Sequence, residues 1–200
     1  MAANAARRGL FIVFEGLDRS GKTSQSTRLA DEMVKLGTET LKMNFPDRSN
    51  CTGNIVNEYL KSSRDLSDEC IHLLFSANRW EARESMLKDL QAGKSIVCDR
   101  YVYSGVSYSC AKGLSSTWCR APDVGLPEPD VVVYLRINSE IAEKRGGYGE
   151  ERYEKKAFQE KVGAQFESFC SEDQNFMVVD GGKTPDEVAA DIRAGTFLFF

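Results

Sequence analysis

Short apolar runs alternate with amphipathic stretches along most of the chain. The runs at Leu10–Glu15, Thr40–Phe45, Ser95–Cys98, Val131–Ile137 and Phe176–Asp180 are rich in strand-forming residues and predict five β-strands. Strands that are apolar along nearly their whole length are typical of parallel sheets, because helices cover both faces of such a sheet.

The segments between these runs carry apolar residues at helical spacing. They predict helices at Thr23–Leu36, Gly53–Lys61, Ser67–Gln91, Tyr101–Ala111, Ser139–Lys144, Lys155–Phe169 and Pro185–Arg193. Alternating strands and helices predict an α/β fold, with a parallel sheet and helices on both faces. We expect residues 1–200 to form a single domain, since the chain shows no internal repeat or linker.

Charge and composition narrow the classes of ligand. The chain carries 26 Lys and Arg against 30 Asp and Glu, a net charge of −4. Binding to a nucleic-acid polymer normally needs a basic face and is not expected. A small anionic ligand remains compatible, because a local cationic pocket can lie in an acidic protein.

The numbers of cysteines and histidines and the hydropathy of the chain bear on metal binding and on cellular location. With one histidine and no C-x-x-C, a zinc cluster is not expected. The six cysteines predict free thiols, with disulfides as the alternative. No segment approaches the roughly 18 apolar residues of a membrane span. Because Met1–Gly9 lacks the apolar stretch of a secretory signal, we expect a cytoplasmic protein, with the nucleus also possible.

The chemistry-bearing motif begins at Gly16. The segment Gly16–Thr23 matches G-x-x-x-x-G-K-[ST] between a predicted strand and a predicted helix. Its glycines let backbone N–H groups surround phosphate oxygens at the positive end of the helix. Lys22 can reach the β- and γ-phosphates, and the Thr23 hydroxyl can ligate Mg²⁺. The segment therefore predicts a site for a nucleoside triphosphate.

Other candidates lie where strands end. Asp99 ends the third strand, where it can hold Mg²⁺ or orient an acceptor; capping a helix is the alternative. Arg48 and Arg100 lie at the same sheet edge and suit phosphate oxygens, although surface arginines are usually only solvated.

Aromatic residues and a glycine-rich segment add further hypotheses. Phe45, Phe75 and Tyr108 can wall a base pocket, with a role in the core as the alternative for Phe75. Arg19 can stabilise charge on a transferring phosphoryl group, or simply face solvent. The glycines of residues 145–154 suit a lid, and equally a flexible surface loop.

Together these segments resemble the thymidylate kinase family, in its eukaryotic form. The resemblance is carried, in the family's order, by FEGLDRSGKT (14–23), FPDR (45–48), LLFSANRWE (73–81), DRYVYSGVSYS (99–109), PDVGLPEPD (122–130), ERYE (151–154) and FQE (158–160). It implies a P-loop nucleoside monophosphate kinase fold, with a five-stranded parallel sheet, a lid and usually a homodimer. It implies transfer of the γ-phosphate of ATP to dTMP, with Mg²⁺.

The resemblance also implies roles for individual residues. ATP would be held by Gly16, Ser20, Gly21, Lys22, Thr23, Ser24, Arg145 and Lys183. Of these, Arg145 would lie beside the adenine. Mg²⁺ would be held by Thr23 and Asp99, and catalysis would depend on Arg19, Lys22 and Asp99. The dTMP site would comprise Asp18 at the 3′-hydroxyl, Arg48 and Arg100 at the phosphate, Phe75 and Arg79 at the base, and Phe45, Ser104, Gly105, Tyr108, Tyr153, Glu154 and Gln159.

Three rival functions remain at this point. A kinase with a different acceptor would share the same phosphate loop. A GTP-binding switch predicts an N-K-x-D motif, which the chain lacks. A non-catalytic ATP-binding module is disfavoured by the intact Lys22, Thr23 and Asp99.

Overall fold

The computed structural model describes residues 8–143, 145 and 152–196. Its five strands are β1 (Phe11–Gly16), β2 (Thr40–Asn44), β3 (Ser95–Asp99), β4 (Val131–Arg136) and β5 (Phe176–Asp180). All pairings are parallel, in the order β2-β3-β1-β4-β5. The predicted five-stranded parallel sheet is thus confirmed. Most of the lid expected at 145–154 lies outside the described residues.

The helices follow the predicted alternation. They are α1 (Lys22–Lys35), α2 (Cys51–Leu60), α3 (Asp68–Gln91), α4 (Val102–Cys110), α5 (Ser116–Arg120), α6 (Ser139–Glu143), α7 (Lys156–Glu172) and α8 (Pro185–Thr196). The short α5 was not expected from the sequence. A 3-10 turn follows at Ala121–Asp123.

Successive side chains of β1 enter different layers of the core, as the two-residue period of a strand requires. Ile12 and Phe14 belong to the layer formed with α1 and α8. Phe11 and Val13 belong to the layer that contains Met86 of α3. Because β1 is the central strand and is buried on both faces, its carboxyl end is held rigidly by the layers around it.

Two strand ends meet at one edge of this sheet. Phe14 of β1 is in register with Asp99 of β3. The chain leaves β1 into the loop before α1, and leaves β3 into Arg100. The topology therefore brings the predicted phosphate loop beside Asp99 and Arg100, at the edge where α/β proteins bind ligands.

Some expectations from composition can be compared with the structure. All six cysteines are free, and Cys98 is a fully buried core residue. Within the described residues, no helix combines the length and the apolarity needed to cross a bilayer.

The layer under α1 generates a stability prediction. Met33 is fully buried, whereas its neighbour Val34 is 54% exposed. We expect Met33→Ala to lower the free energy of unfolding by about 2–5 kcal/mol, because it removes buried methylene groups and leaves a cavity. The matched control Val34→Ala should change it by less than about 0.5 kcal/mol. Urea denaturation of both variants checks this, and equal midpoints would contradict the packing of α1.

Candidate functional site

A cavity of about 810 Å³ opens at the carboxyl ends of β1 and β3. Its wall includes all of the predicted site residues except Gly16, Asp99 and Gln159. Asp99 and Gln159 contact residues of the wall, since Asp99 accepts a hydrogen bond from Thr23 and Gln159 donates to Asp18. Gly16 ends β1 just before the loop. The tertiary structure therefore brings the scattered candidates into one site.

The loop between β1 and α1 has the conformation expected of a phosphate-binding loop. Gly16 and Gly21 have φ values of 143° and 99°, which side chains rarely tolerate. Lys22 is buried, and its ammonium group donates to the carbonyl of Leu17 at 2.6 Å and to the Ser20 hydroxyl at 3.3 Å. Burial and the charge of Arg100 lower the pKa of Lys22, Asp99 and Asp18 oppose the shift, and the resulting pKa is about 8.

Asp99 faces the same loop. Its Oδ2 accepts a hydrogen bond from the Thr23 hydroxyl. Its Oδ1 is buried and has no hydrogen-bond partner within the described residues. The N-cap position of α4 is Tyr101, so Asp99 does not cap that helix. The Asp99 carboxylate and the Thr23 hydroxyl offer oxygen atoms, which are the ligands that Mg²⁺ prefers together with phosphate oxygens.

A network of buried polar groups forms the floor of the cavity. Asp18 accepts a charge-assisted hydrogen bond from Arg100, and its second oxygen accepts from Gln159 Nε2 at 2.7 Å. Arg100 also donates to Ser104 at 3.2 Å and Tyr108 at 3.4 Å. Burial alone would raise the pKa of Asp18, but the charges of Arg100 and Lys22 outweigh it and hold the pKa below its usual value.

Arg19 lies at the rim of the cavity in a conformation that non-glycine residues rarely adopt. Its φ is 62°, and its guanidinium pairs with Glu154 at 3.2 Å. Arg145 donates to the carbonyl of Arg19 and to that of Gly181, both at 2.8 Å. Arg19 is therefore held by partners on both sides and is not merely a solvent-facing side chain.

Arg152, the other arginine near the expected lid, is turned away from the phosphate loop. It donates to the carbonyls of Tyr59 and Arg64 and pairs with Asp65 at 2.6 Å. Its guanidinium also lies 4.2 Å from the centre of the Tyr59 ring. These contacts hold Arg152 against the end of α2.

The opposite wall carries arginines and aromatic rings. Arg48 donates to Asn57 at 3.0 Å. Phe45 is buried, with its ring 5.5 Å from that of Tyr101. Phe75 is half-buried, lines the cavity and also packs against the core. Arg79 is buried in a bidentate pair with Asp123.

The sequence comparison decides the family. The family model described as thymidylate kinase matches residues 14–192. The chain belongs to the thymidylate kinase family. It is 47% identical to the thymidylate kinase of Dictyostelium discoideum, over 94% of this chain and 85% of that protein. It is 43% identical to the Homo sapiens thymidylate kinase, over 94% and 90% of the two chains.

A solved structure agrees. The thymidylate kinase of Candida albicans matches with a TM-score of 0.88 at 38% identity, covering 96% of this chain and 92% of that chain. The P-loop nucleoside monophosphate kinase fold expected from the sequence is therefore confirmed for this member of the thymidylate kinase family.

Sequence reasoning missed two buried residues that hold the thymidylate kinase site in shape. Glu15 is fully buried and accepts from the backbone N–H groups of Tyr101 and Ser104, at 2.9 and 3.0 Å, and from the Ser104 hydroxyl. Burial raises the pKa of Glu15. A carboxylate ending an apolar strand was the available clue. Asn78 bonds to both the backbone N–H and the carbonyl of Asp47, at 2.7 and 2.9 Å, and nothing in its helical pattern marked it.

The pKa of Lys22 generates a prediction about proton uptake. In the free protein the ammonium group is about half protonated near pH 8. A bound triphosphate stabilises the charged form, so ATP binding should take up roughly half a proton at pH 8 and almost none at pH 6.5. Calorimetric titrations in two buffers of different ionisation enthalpy measure the uptake.

A matched pair of variants assigns the proton. Lys22→Met should abolish the uptake at pH 8. Lys94→Met should preserve it, because Lys94 is not among the residues that line the cavity, pairs with Glu39 at 3.1 Å and has a raised pKa. No uptake in the parent protein at pH 8 would show that Lys22 keeps its ordinary pKa.

Proposed function

We propose that the protein transfers the γ-phosphoryl group of ATP to dTMP, giving dTDP and ADP for dTTP biosynthesis. One observation carries this beyond family membership. A single cavity joins a phosphate-binding loop at one end to two arginines and a set of aromatic rings at the other. Such a cavity suits two anionic ligands that meet at their phosphates.

The donor end is the part around the loop. We infer that Lys22 and the backbone N–H groups from Gly16 to Ser24 hold the phosphates of ATP. Arg145 and Lys183 line the same end of the cavity and suit the adenosine part.

The acceptor end is the part around Arg100. Arg48 and Arg100 would bind the phosphate of dTMP, since guanidinium groups match phosphate oxygens. Asp18 would accept from the 3′-hydroxyl of the deoxyribose. Asp18 accepts a hydrogen bond from Arg100 within the protein. Binding of the acceptor would replace this contact with one from the 3′-hydroxyl. Phe75 would stack on the base and Arg79 would donate to its carbonyl edge.

The remaining acceptor residues would act around the sugar and base. Tyr108, Tyr153, Glu154 and Gln159 are buried, and Gln159 donates to the Tyr153 carbonyl at 3.0 Å. Ser104 and Gly105 lie in the wall of the cavity on α4. We infer that these side chains exclude water from the acceptor rather than react with it.

Thr23 and Asp99 would hold Mg²⁺. The unpartnered Oδ1 of Asp99 supports this, because a buried carboxylate oxygen is otherwise costly. The ion would neutralise phosphate charge. Lys22 and Arg19 would supply further positive charge beside the same phosphates.

The reaction needs positioning more than covalent help. An oxygen of the dTMP phosphate would attack the γ-phosphorus of ATP in line, and the bond from that phosphorus to the β-phosphate oxygen would break, releasing ADP. Arg19 would stabilise the charge on the transferring group.

Arg19 and Arg152 provide a direct test of where the catalytic arginine lies. We expect Arg19→Ala to lower kcat by roughly 10²–10³-fold with a small change in KM, because the contact forms in the transition state. Arg152→Ala should change kcat less than about threefold, since its partners lie in α2 and the following loop. Steady-state ADP release measures both. The reverse pattern would assign catalysis to the lid.

An acceptor panel tests the function as a whole. Purified protein is given ATP, Mg²⁺ and one acceptor: dTMP, dUMP, dCMP, thymidine or none. We expect ADP release to be fastest with dTMP and dTDP to appear by chromatography. Inactivity with dTMP together with turnover of another acceptor would replace this proposal with a related kinase.

We also infer a homodimer, as the resemblance implies. Exposed apolar side chains support it: Leu73 and Trp80 lie two turns apart on α3, and Trp118 and Val124 are also exposed. Sedimentation analysis should give about twice the 22.3 kDa chain mass. A monomer at micromolar concentration would contradict the proposal.

For location, we infer the cytoplasm, and also the nucleus. Six free thiols support this, since reducing compartments keep cysteines unpaired. Imaging of the tagged protein tests it, and exclusive labelling of the secretory pathway would contradict it.

A further inference from the structure

One face of α3 is docked onto a turn to which the proposed reaction assigns no role. Ser76, Arg79, Trp80 and Arg83 follow the i, i+3, i+4, i+7 spacing of a single helix face. Each donates a hydrogen bond to the 3-10 turn Ala121–Asp123 or to the carbonyl of Gly125 just after it. The turn is therefore fastened along two turns of the helix.

At the centre of this contact lies a buried ion pair. Arg79 donates through Nε to Asp123 Oδ1 at 3.1 Å and through Nη2 to Oδ2 at 2.7 Å. The side chains are only 2% and 3% exposed. Ser76 donates to the same Oδ1 at 2.7 Å. Two parallel bonds fix the plane of a guanidinium as well as its position.

The other edge of Arg79 belongs to the cavity. Arg79 is part of the cavity wall, and its Nη1 has no hydrogen-bond partner in the portion of the chain that the structure describes. A Cβ on Gly105 would come within 2.9 Å of both Nη1 and Nη2, so α4 packs closely against the end of the guanidinium. Asp123 thus occupies Nε and Nη2 of the guanidinium, and Nη1 remains as a donor for a ligand.

We propose that Asp123 is a positioning residue that selects the base of the acceptor through Arg79; this rests on the proposed function. A guanidinium only donates, so an edge fixed toward the base favours a ring carbonyl, as in thymine and uracil. The amino group of cytosine is also a donor, so it would face the N–H donor of the guanidinium without forming a hydrogen bond. Because Asp123 occupies Nε and Nη2, the side chain cannot swing to avoid the mismatch.

The test compares Asp123→Asn with Trp80→Phe. Asp123→Asn keeps the size of the side chain but removes the charge and one acceptor oxygen. Trp80→Phe removes another side-chain bond to this turn, from Trp80 Nε1 to the Pro122 carbonyl at 2.7 Å, without touching the carboxylate. Steady-state kinetics with dTMP and with dCMP are measured for the parent protein and both variants.

We expect Asp123→Asn to reduce the ratio of kcat/KM for dTMP over dCMP by about 10- to 100-fold, mainly through a higher KM for dTMP. The KM for ATP should stay within about twofold, and Trp80→Phe should leave the ratio unchanged. Equal losses with both acceptors, or the same loss of ratio in Trp80→Phe, would overturn the proposal and leave a purely structural turn.

Two safeguards keep the outcomes separate. If Asp123→Asn does not fold, Ser76→Ala takes its place. It removes the hydroxyl that donates to Asp123 Oδ1 and also to the Pro122 carbonyl at 3.2 Å, the carbonyl whose loss the Trp80→Phe control measures. A smaller loss of the ratio is expected, and no loss overturns the proposal. The parent protein is assayed first. Absence of dTMP turnover there rejects the proposed function, whereas turnover with an unchanged ratio in the variant rejects the role of Asp123 alone.

Discussion

A cluster of mutually compensating charges under the phosphate loop is the constraint on which the rest of the site depends. Glu15 and Lys22 are buried, and Asp18 and Arg100 are largely so. An isolated charge in such a place would cost several kcal/mol, so these groups depend on one another's positions. Arg100 and Lys22 hold the pKa of Asp18 below its usual value, whereas burial still raises the pKa of Glu15 and lowers that of Lys22. The strands beneath must therefore be rigid, and the central, doubly covered β1 supplies that rigidity.

The same cluster explains where backbone strain occurs. Arg19 and Arg100 are two of only three non-glycine residues with positive φ in the described part of the chain. Such a conformation costs about 1–3 kcal/mol and persists where surrounding contacts enforce it. The Glu154 pair and Arg145 enforce it at Arg19, and the network of Asp18, Ser104 and Tyr108 does so at Arg100. Both residues line the cavity, so this backbone strain lies at the candidate site.

The long helix α3 contributes in a different way. Asn78 holds the segment before α2 through both backbone groups of Asp47, and Arg79 holds the turn before β4 through Asp123. Adjacent residues of one helix thus fasten two segments distant in sequence. Buried polar side chains of this helix therefore fix the positions of both segments.

The local patterns of the sequence determined the strands, most helices and the phosphate loop, because hydrophobic periodicity and the Gly-Lys-Thr spacing act over a few residues. The motif segments also placed Arg19, Arg48 and Arg100 among the candidates. Tertiary structure decided what pattern could not: that Glu15 caps α4, that Arg79 is paired with Asp123 before any ligand arrives, and that Arg152 faces α2. Each of these contacts joins residues more than 40 positions apart. Their partners are set by how the layers pack, and no local signal in a single sequence records that.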